Sequence, residues 1–240
     1  MDIKHEKSVR IQTSVLNGLE KKVLVYLAGK QPGWVTSNFL TAIGTIGAVI
    51  IGVGYVLGGE NINFLWISSL GFLINWYGDS LDGTLARVRN TQRPLFGYYI
   101  DHTLDAVNEL IMFLGLGLSG LMHFELALLI FIVYLMLTLN VSINAHLKKE
   151  FCLTYAGMGP TEFRIIAVII NTILIYATPV REFAMNFHIS GNDISFSALD
   201  LAGTLIFVVL VIIYICSILK DMHDYSLRDP MPGKNRQQSN

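Results

Sequence analysis

Between residues 79 and 105 the chain reads Asp79-Ser-Leu-Asp82-Gly83-Thr-Leu-Ala86-Arg87, then nine residues to Gly97, then Asp101 and Asp105. Asp79 and Asp82 are three apart and Asp101 and Asp105 four apart, spacings that put each pair on one face of a helix. Two such helices packed antiparallel bring four carboxylates into one pocket. Four like charges in a low-dielectric pocket need cations beside them or large pKa shifts. Two divalent ions meet that need, and an all-oxygen ligand set selects Mg²⁺ or Mn²⁺ over Zn²⁺. Paired divalent ions suit phosphoryl transfer, because they bridge phosphate oxygens and neutralise developing charge. Gly83 leaves room for a bulky substrate beside the carboxylates, and Gly97 clears space at the start of the second helix. Arg87, one turn beyond Gly83, can hold a phosphate through two parallel hydrogen bonds.

The surrounding chain is unusually apolar. Of 240 residues 52% are hydrophobic and 15% charged, where a soluble domain carries about 25% charged residues. Mean hydropathy is +0.52. Ionisable groups in such a setting are costly and mark function. The net charge of −1 gives no reason to expect a nucleic-acid partner. Cys152 and Cys216 lack the spacing of a disulfide framework or zinc site and read as packing residues. The polar start of the chain has no contiguous apolar core before a small-residue cleavage site, so no cleaved signal peptide is expected.

The elements that must position the carboxylates follow in order. Apolar residues from Val15 to Leu27, interleaved with Glu20, Lys21 and Lys22, predict an amphipathic helix over 11–30 lying on the membrane surface. Gln31-Pro32-Gly33 ends it. Phe39–Leu57 is an uncharged run long enough to span a bilayer, with small residues Gly44, Ala48 and Gly52 forming a helix-packing stripe. A second span runs from about Ile62 into the Asp79 region, with Trp66, Trp76 and Tyr77 as interfacial anchors. A third begins near Leu95–Gly97 and carries Asp101, Asp105 and Glu109; the fourth covers Leu126–Leu147, the fifth about Thr161–Val180, the sixth about Leu201–Leu219. The tail from Lys220 is polar and predicted disordered at its end.

Six spans place both termini on one side. Of the 17 Lys and Arg residues, all but Arg181 fall in segments assigned to that side, the bias expected of cytoplasmic segments. The fold class is therefore an all-α integral membrane protein: six transmembrane helices after an interfacial helix, N-in and C-in. Its parts are a cytoplasmic segment 1–36, a membrane domain 37–220 and a tail 221–240. The Asp79–Asp105 site then lies at the cytoplasmic face.

The full pattern D-x2-D-G-x2-A-R-x9-G-x3-D-x3-D resembles the signature of the CDP-alcohol phosphotransferase (CDP-alcohol phosphatidyltransferase) family, with every fixed position present as Asp79, Asp82, Gly83, Ala86, Arg87, Gly97, Asp101 and Asp105. From average residue usage, eight such matches arise by chance at roughly 10⁻¹⁰ per starting position. The resemblance implies that Asp79, Asp82 and Asp101 bind two metals, with Asp105 completing the cluster. It implies that Asp105 is the general base that deprotonates an acceptor alcohol, which attacks the β-phosphorus of a CDP-linked donor and releases CMP. Gly83, Ala86, Arg87 and Gly97 would shape the cytidine-diphosphate pocket. Asn38 and Thr41, in Ser-Asn-Phe-Leu-Thr, resemble the family's Asn-x-x-Thr near the nucleotide; a helix cap accounts equally well for Asn38. Glu162 and Arg164, at the start of the fifth span, are the candidate acceptor-binding residues, against a plain positive-inside anchor for Arg164. His102, beside Asp101, points about 100° away from it on a helix.

These features predict a phospholipid-synthesis enzyme in a membrane, with the bacterial inner membrane as its expected location. CDP-diacylglycerol with a polar acceptor is the favoured pair. CDP-choline or CDP-ethanolamine with diacylglycerol is the alternative, which the Asp101-His102 pair faintly resembles. Membrane lipids are partners by necessity, and a homodimer is compatible with the reading. An aromatic prenyltransferase would show two separate Asp-rich boxes. A cation transporter would carry acidic residues near mid-bilayer on several spans, and spans one, four, five and six have none in their cores.

Overall fold

The computed structural model describes residues 9–11, 16–148, 150–152, 159–189 and 192–231. Helices dominate it. In order they are α1 Asn17–Lys30, α2 Ser37–Glu60, α3 Leu65–Val88, α4 Pro94–Leu118, α5 Phe124–Lys148, α6 Pro160–Tyr176, α7 Thr178–Arg181 and α8 Ala198–Arg228. A short parallel pair joins β1 (Val9–Ile11) to β2 (Glu150–Cys152), and β3 (Ala184–Ile189) forms an antiparallel hairpin with β4 (Asn192–Ser197). Helix starts follow local chemistry. The Thr36 hydroxyl accepts from the Phe39 amide at 3.2 Å, Pro94 and Pro160 occupy first positions where no amide partner is needed, and Ser197 caps α8 by accepting from Asp200 N–H at 3.0 Å.

Among the described residues three helices are long and apolar enough to cross a membrane: α2, α5 over Phe124–Leu147, and α8. At 24 residues, α2 is about 36 Å long. The chain is a membrane protein by the character of these helices. Their outward faces are apolar, with Ile46, Val53, Leu139, Leu205 and Ile212 exposed, the distribution that suits a lipid surround. The helices α3, α4 and α6 do not join this set; α3 and α4 give part of their length to charged residues, and α6 has 17 residues.

Lipid supplies little hydrophobic attraction between helices, so close packing and buried hydrogen bonds must hold them. The α2–α3 seam shows how. A Cβ on Gly47 would lie 2.7 Å from the Asn75 Cα, one on Gly44 3.1 Å from the Asp79 amide nitrogen, and one on Gly78 2.7 Å from the Gly44 Cα. The expected stripe divides between two partners. Gly44 faces α3, whereas Gly52 faces α4, where a Cβ would meet the Ile111 carbonyl at 2.8 Å. A four-residue repeat drifts around a 3.6-residue helix, so α2 becomes the wedge between the two carboxylate-bearing helices.

Several local expectations change. Helix α1 docks on the bundle as well as presenting an outer face: Leu24 and Ala28 bury against Leu81 and Leu85. Trp76 and Tyr77, expected as interfacial anchors, face α1: Trp76 Nε1 donates to Glu20 Oε1 at 2.9 Å and Gln31 Nε2 to the Tyr77 hydroxyl at 2.7 Å. Helix α6 ends at Tyr176, short of Val180. Pro179 has no amide to return to the Ile175 carbonyl, which instead accepts from Arg181 Nη1 at 3.4 Å. Helix α8 runs on through the start of the expected tail, because Asn140 and Asn144 of α5 donate to Asp221 at 3.1 and 2.7 Å and Tyr225 donates to Asn144 at 2.7 Å. The far end of that tail, 232–240, and residues 1–8 lie outside the described residues.

Candidate active site

The end of α3 and the start of α4 meet beside α2. Asp79, Asp101 and Asp105 each offer a carboxylate oxygen, and these oxygens all lie within 4.8 Å of one another. Asp101 is exposed while Asp79 and Asp105 are half-buried, so the group opens to solvent at one side. Hard, charged oxygens at this spacing are what Mg²⁺ or Mn²⁺ takes, and a cation among them would relieve their mutual repulsion.

Asp82 is not in this group of three. Its Oδ2 accepts from the Thr41 hydroxyl at 2.6 Å, and its Oδ1 accepts from the Gly83 amide. Ser37 adds a third tie by donating to the Asp82 carbonyl at 2.9 Å. The N-terminal turn of α2 thus grips the second carboxylate of the signature. Asn38 is exposed on that turn. The residues expected on the nucleotide side lie on the last turns of α3 and the first turn of α4. Arg87 is exposed and donates to Thr84 Oγ1 at 2.8 Å, Ala86 is half-buried, a Cβ on Gly83 would meet only Arg87 Nη1 at 3.4 Å, and a Cβ on Gly97 would meet no atom within 4 Å.

On the inner side α6 contributes Arg164. Its Nη2 donates to Asp79 Oδ2 at 2.5 Å and its Nε to Asn75 Oδ1 at 2.9 Å, with 14% of the arginine side chain accessible. Asn75 is buried and also donates to the Gly44 carbonyl at 2.9 Å, so one amide ties α2, α3 and α6 together. Sequence reasoning missed Asn75, although an Asn within an apolar helix is the usual mark of an interhelical hydrogen bond. Glu162 is placed elsewhere. Its oxygens accept from the Gly159 and Leu16 amides at 2.9 and 3.0 Å, closing the first turn of α6 and holding the start of α1. His102 stacks on Tyr98, ring centroids 4.1 Å apart.

Below the carboxylates a cavity of about 100 Å³ opens between α2, α3, α4, α5 and α6. Asp105 and Arg164 stand at its polar end, with Asn108 and Glu109, and Tyr55, Phe72 and Leu116 line its apolar part. Asp105 belongs both to the carboxylate group and to this lining.

No curated protein matches the chain. The CDP-alcohol phosphatidyltransferase model matches residues 34–225, from just before α2 into the last turns of α8 and so across every element that shapes the site. With a match over most of its length, the chain belongs to the CDP-alcohol phosphatidyltransferase family.

Proposed function

We propose that this protein transfers the phosphatidyl group of CDP-diacylglycerol to a small polar alcohol and releases CMP. Family membership makes it an enzyme that transfers a phospho-alcohol group from a CDP-alcohol. The choice of donor, acceptor and residue roles is our reading. The observation that carries it is the position of Asp105, which reaches the carboxylate group on one side and the inner cavity on the other. A base must touch both the reacting alcohol and the phosphate site, and Asp105 is suited to both.

In this reading Asp79, Asp101 and Asp105, with Asp82 beside them, hold two Mg²⁺ or Mn²⁺ ions, a family requirement that their converging oxygens fit. Those ions, when bound, neutralise the diphosphate oxygens. Gly83, Ala86, Arg87 and Gly97 frame the cytidine-diphosphate on the exposed side, where Arg87 pairs with phosphate oxygens. Thr41 keeps the Asp82 carboxylate from turning. The acceptor hydroxyl gives its proton to Asp105. Its oxygen forms a bond to the β-phosphorus, the bond from that phosphorus to the bridging oxygen breaks, and CMP departs with the electron pair. Arg164 and Asn75 hold Asp79 in place from behind.

The long helices α2, α3, α4, α5, α6 and α8 are the six spans of this proposal, with both termini and the carboxylates at the cytoplasmic face, the arrangement favoured by the distribution of basic residues. The membrane domain of 37–220 then follows an interfacial segment of 1–36 and precedes a tail of 221–240. A bacterial inner membrane and a homodimer fit the same reading.

The test is CMP release by the purified full chain with Mg²⁺, given CDP-diacylglycerol or CDP-choline and a panel of alcohols. Asp105→Asn should lower turnover by about 10²–10⁴-fold while donor still binds. Turnover of CDP-choline with diacylglycerol alone, or an unimpaired Asp105→Asn variant, would overturn the reading.

A further inference from the structure

We propose that the inner cavity receives the far end of the acceptor alcohol, and that Asn108 and Glu109 select an acceptor rich in hydrogen-bond donors and free of phosphate. The inference rests on the transferase reading and names the class of its acceptor. Asn108 is 7% accessible and lines the cavity, and its Oδ1 has no hydrogen-bond partner among the described residues. Glu109, one helical turn below Asp105, is half-buried, and its buried Oε2 lacks a hydrogen-bond partner among the described residues. Buried polar atoms are almost always hydrogen-bonded, so two orphaned acceptors on one cavity wall ask for a ligand that donates.

The same wall argues against other acceptors. A phosphorylated alcohol would bring negative charge beside Glu109 and Asp105. Arg164, the one cation among the described lining residues, is already engaged by Asp79 and Asn75. Diacylglycerol offers a single hydroxyl, and that hydroxyl must go to Asp105 to react. Nothing would remain for Asn108 and Glu109. A polyol or amino alcohol satisfies every group: one hydroxyl meets Asp105, and further hydroxyl or ammonium hydrogens meet the two acceptors three and four residues on, about one turn deeper. Asn108 and Glu109 act on acceptor affinity, not on the donor, which approaches from the exposed side in the proposed arrangement.

The test compares glycerol, ethanolamine and myo-inositol with glycerol 3-phosphate and diacylglycerol, using the full chain in detergent micelles with Mg²⁺. CDP-diacylglycerol is the donor for the first four; diacylglycerol is offered with CDP-choline. A donor-rich alcohol should have a kcat/KM at least tenfold above that of glycerol 3-phosphate. In Asn108→Leu the KM for that alcohol should rise about tenfold or more, the worth of one hydrogen bond to a polar substrate group, with donor KM changed less than twofold. Without acceptor, Asn108→Leu should melt no lower than wild type, because it removes an orphaned polar atom; a purely structural asparagine would lower the melting temperature instead. Glu109→Gln, nearly isosteric, should raise KM for ethanolamine more than for glycerol. Preference for glycerol 3-phosphate or diacylglycerol, or variants that change donor and acceptor KM alike, would overturn the inference. If no pair releases CMP, the transferase reading itself fails. The cavity is then judged by melting alone, where millimolar polyol or amino alcohol must protect wild type and not Asn108→Leu; absence of that protection refutes it.

Discussion

Arg164 is the clearest place to measure what holds the carboxylates together before any cation binds. Replacing it with Gln removes the guanidinium that bonds Asp79 at 2.5 Å and Asn75 at 2.9 Å. A hydrogen bond to a charged group contributes about 1.5–3 kcal/mol. The two side chains are only 14% and 24% accessible, so water screens the pair weakly. Breaking a buried pair from one side also strands its partner, a loss of about 3–5 kcal/mol in fully buried cases. Because Asp79 keeps some access to solvent and glutamine can restore one neutral bond to Asn75, the expected loss is about 3 kcal/mol. For a protein of this size that corresponds to a melting temperature lower by about 6–12 °C, read by thermal denaturation in detergent with chelator present. Saturating Mg²⁺ should recover half or more of the deficit, since a cation on Asp79 replaces the lost positive charge. By linkage, the variant should bind Mg²⁺ more tightly than wild type. A variant melting within 2 °C of wild type without metal, or showing the same deficit at saturating Mg²⁺, would refute the reasoning.

Three further perturbations follow from the same geometry. Thr41→Val deletes the 2.6 Å hydrogen bond to Asp82 and should lower kcat/KM for CMP release by about 10–100-fold, with Thr41→Ser retaining most activity; equal rates in Thr41→Val would remove Thr41 from the site. Gly47→Ala places a methyl group 2.7 Å from the Asn75 Cα and should destabilise the protein by about 1–3 kcal/mol through overpacking, seen as a lower melting temperature. Gly97→Ala, with no atom within 4 Å of the added Cβ, should leave melting unchanged and raise only the KM for the donor.

The legibility of this chain was uneven for physical reasons. Hydrophobic periodicity marks the long helices well; their bounds differ from the expected ones at α6, where Pro179 decides, and at α8, which the Asp221 network extends to Arg228. The carboxylate pairs on α3 and α4 were visible because helical spacing alone puts each pair on one face. Their union in space was not, since it depends on how closely α2 lets the two helices approach. Asn38 and Thr41 both read as nucleotide-side residues, with a helix cap as the alternative for Asn38; the Thr41 hydroxyl reaches Asp82 and Asn38 is exposed. Glu162 and Arg164 read alike in sequence, two residues apart at the head of one helix. One turns back to close its own helix end and the other turns inward to Asp79. Two residues along a helix is a rotation of about 200°, which sends them to opposite sides. The β3–β4 hairpin and the α5–α8 network around Asp221 rest on long-range partners that local pattern does not encode.

The seam between α2 and its neighbours has a consequence for how the site can change. Where side chains separate two helices, rotamers act as adjustable spacers, and substitutions tune the gap by fractions of an ångström. Along Gly44, Gly47 and Gly78 the spacer is the peptide backbone itself, which has no shorter form and no alternative rotamer. The gauge between α2 and α3 is therefore set at its lower limit, and random change can only widen it. Such a site is free to vary its rim and its cavity wall while its central spacing stays fixed, so new acceptor preferences should arise by exchanging lining residues on α4 and α6 over an unmoving α2–α3 pair.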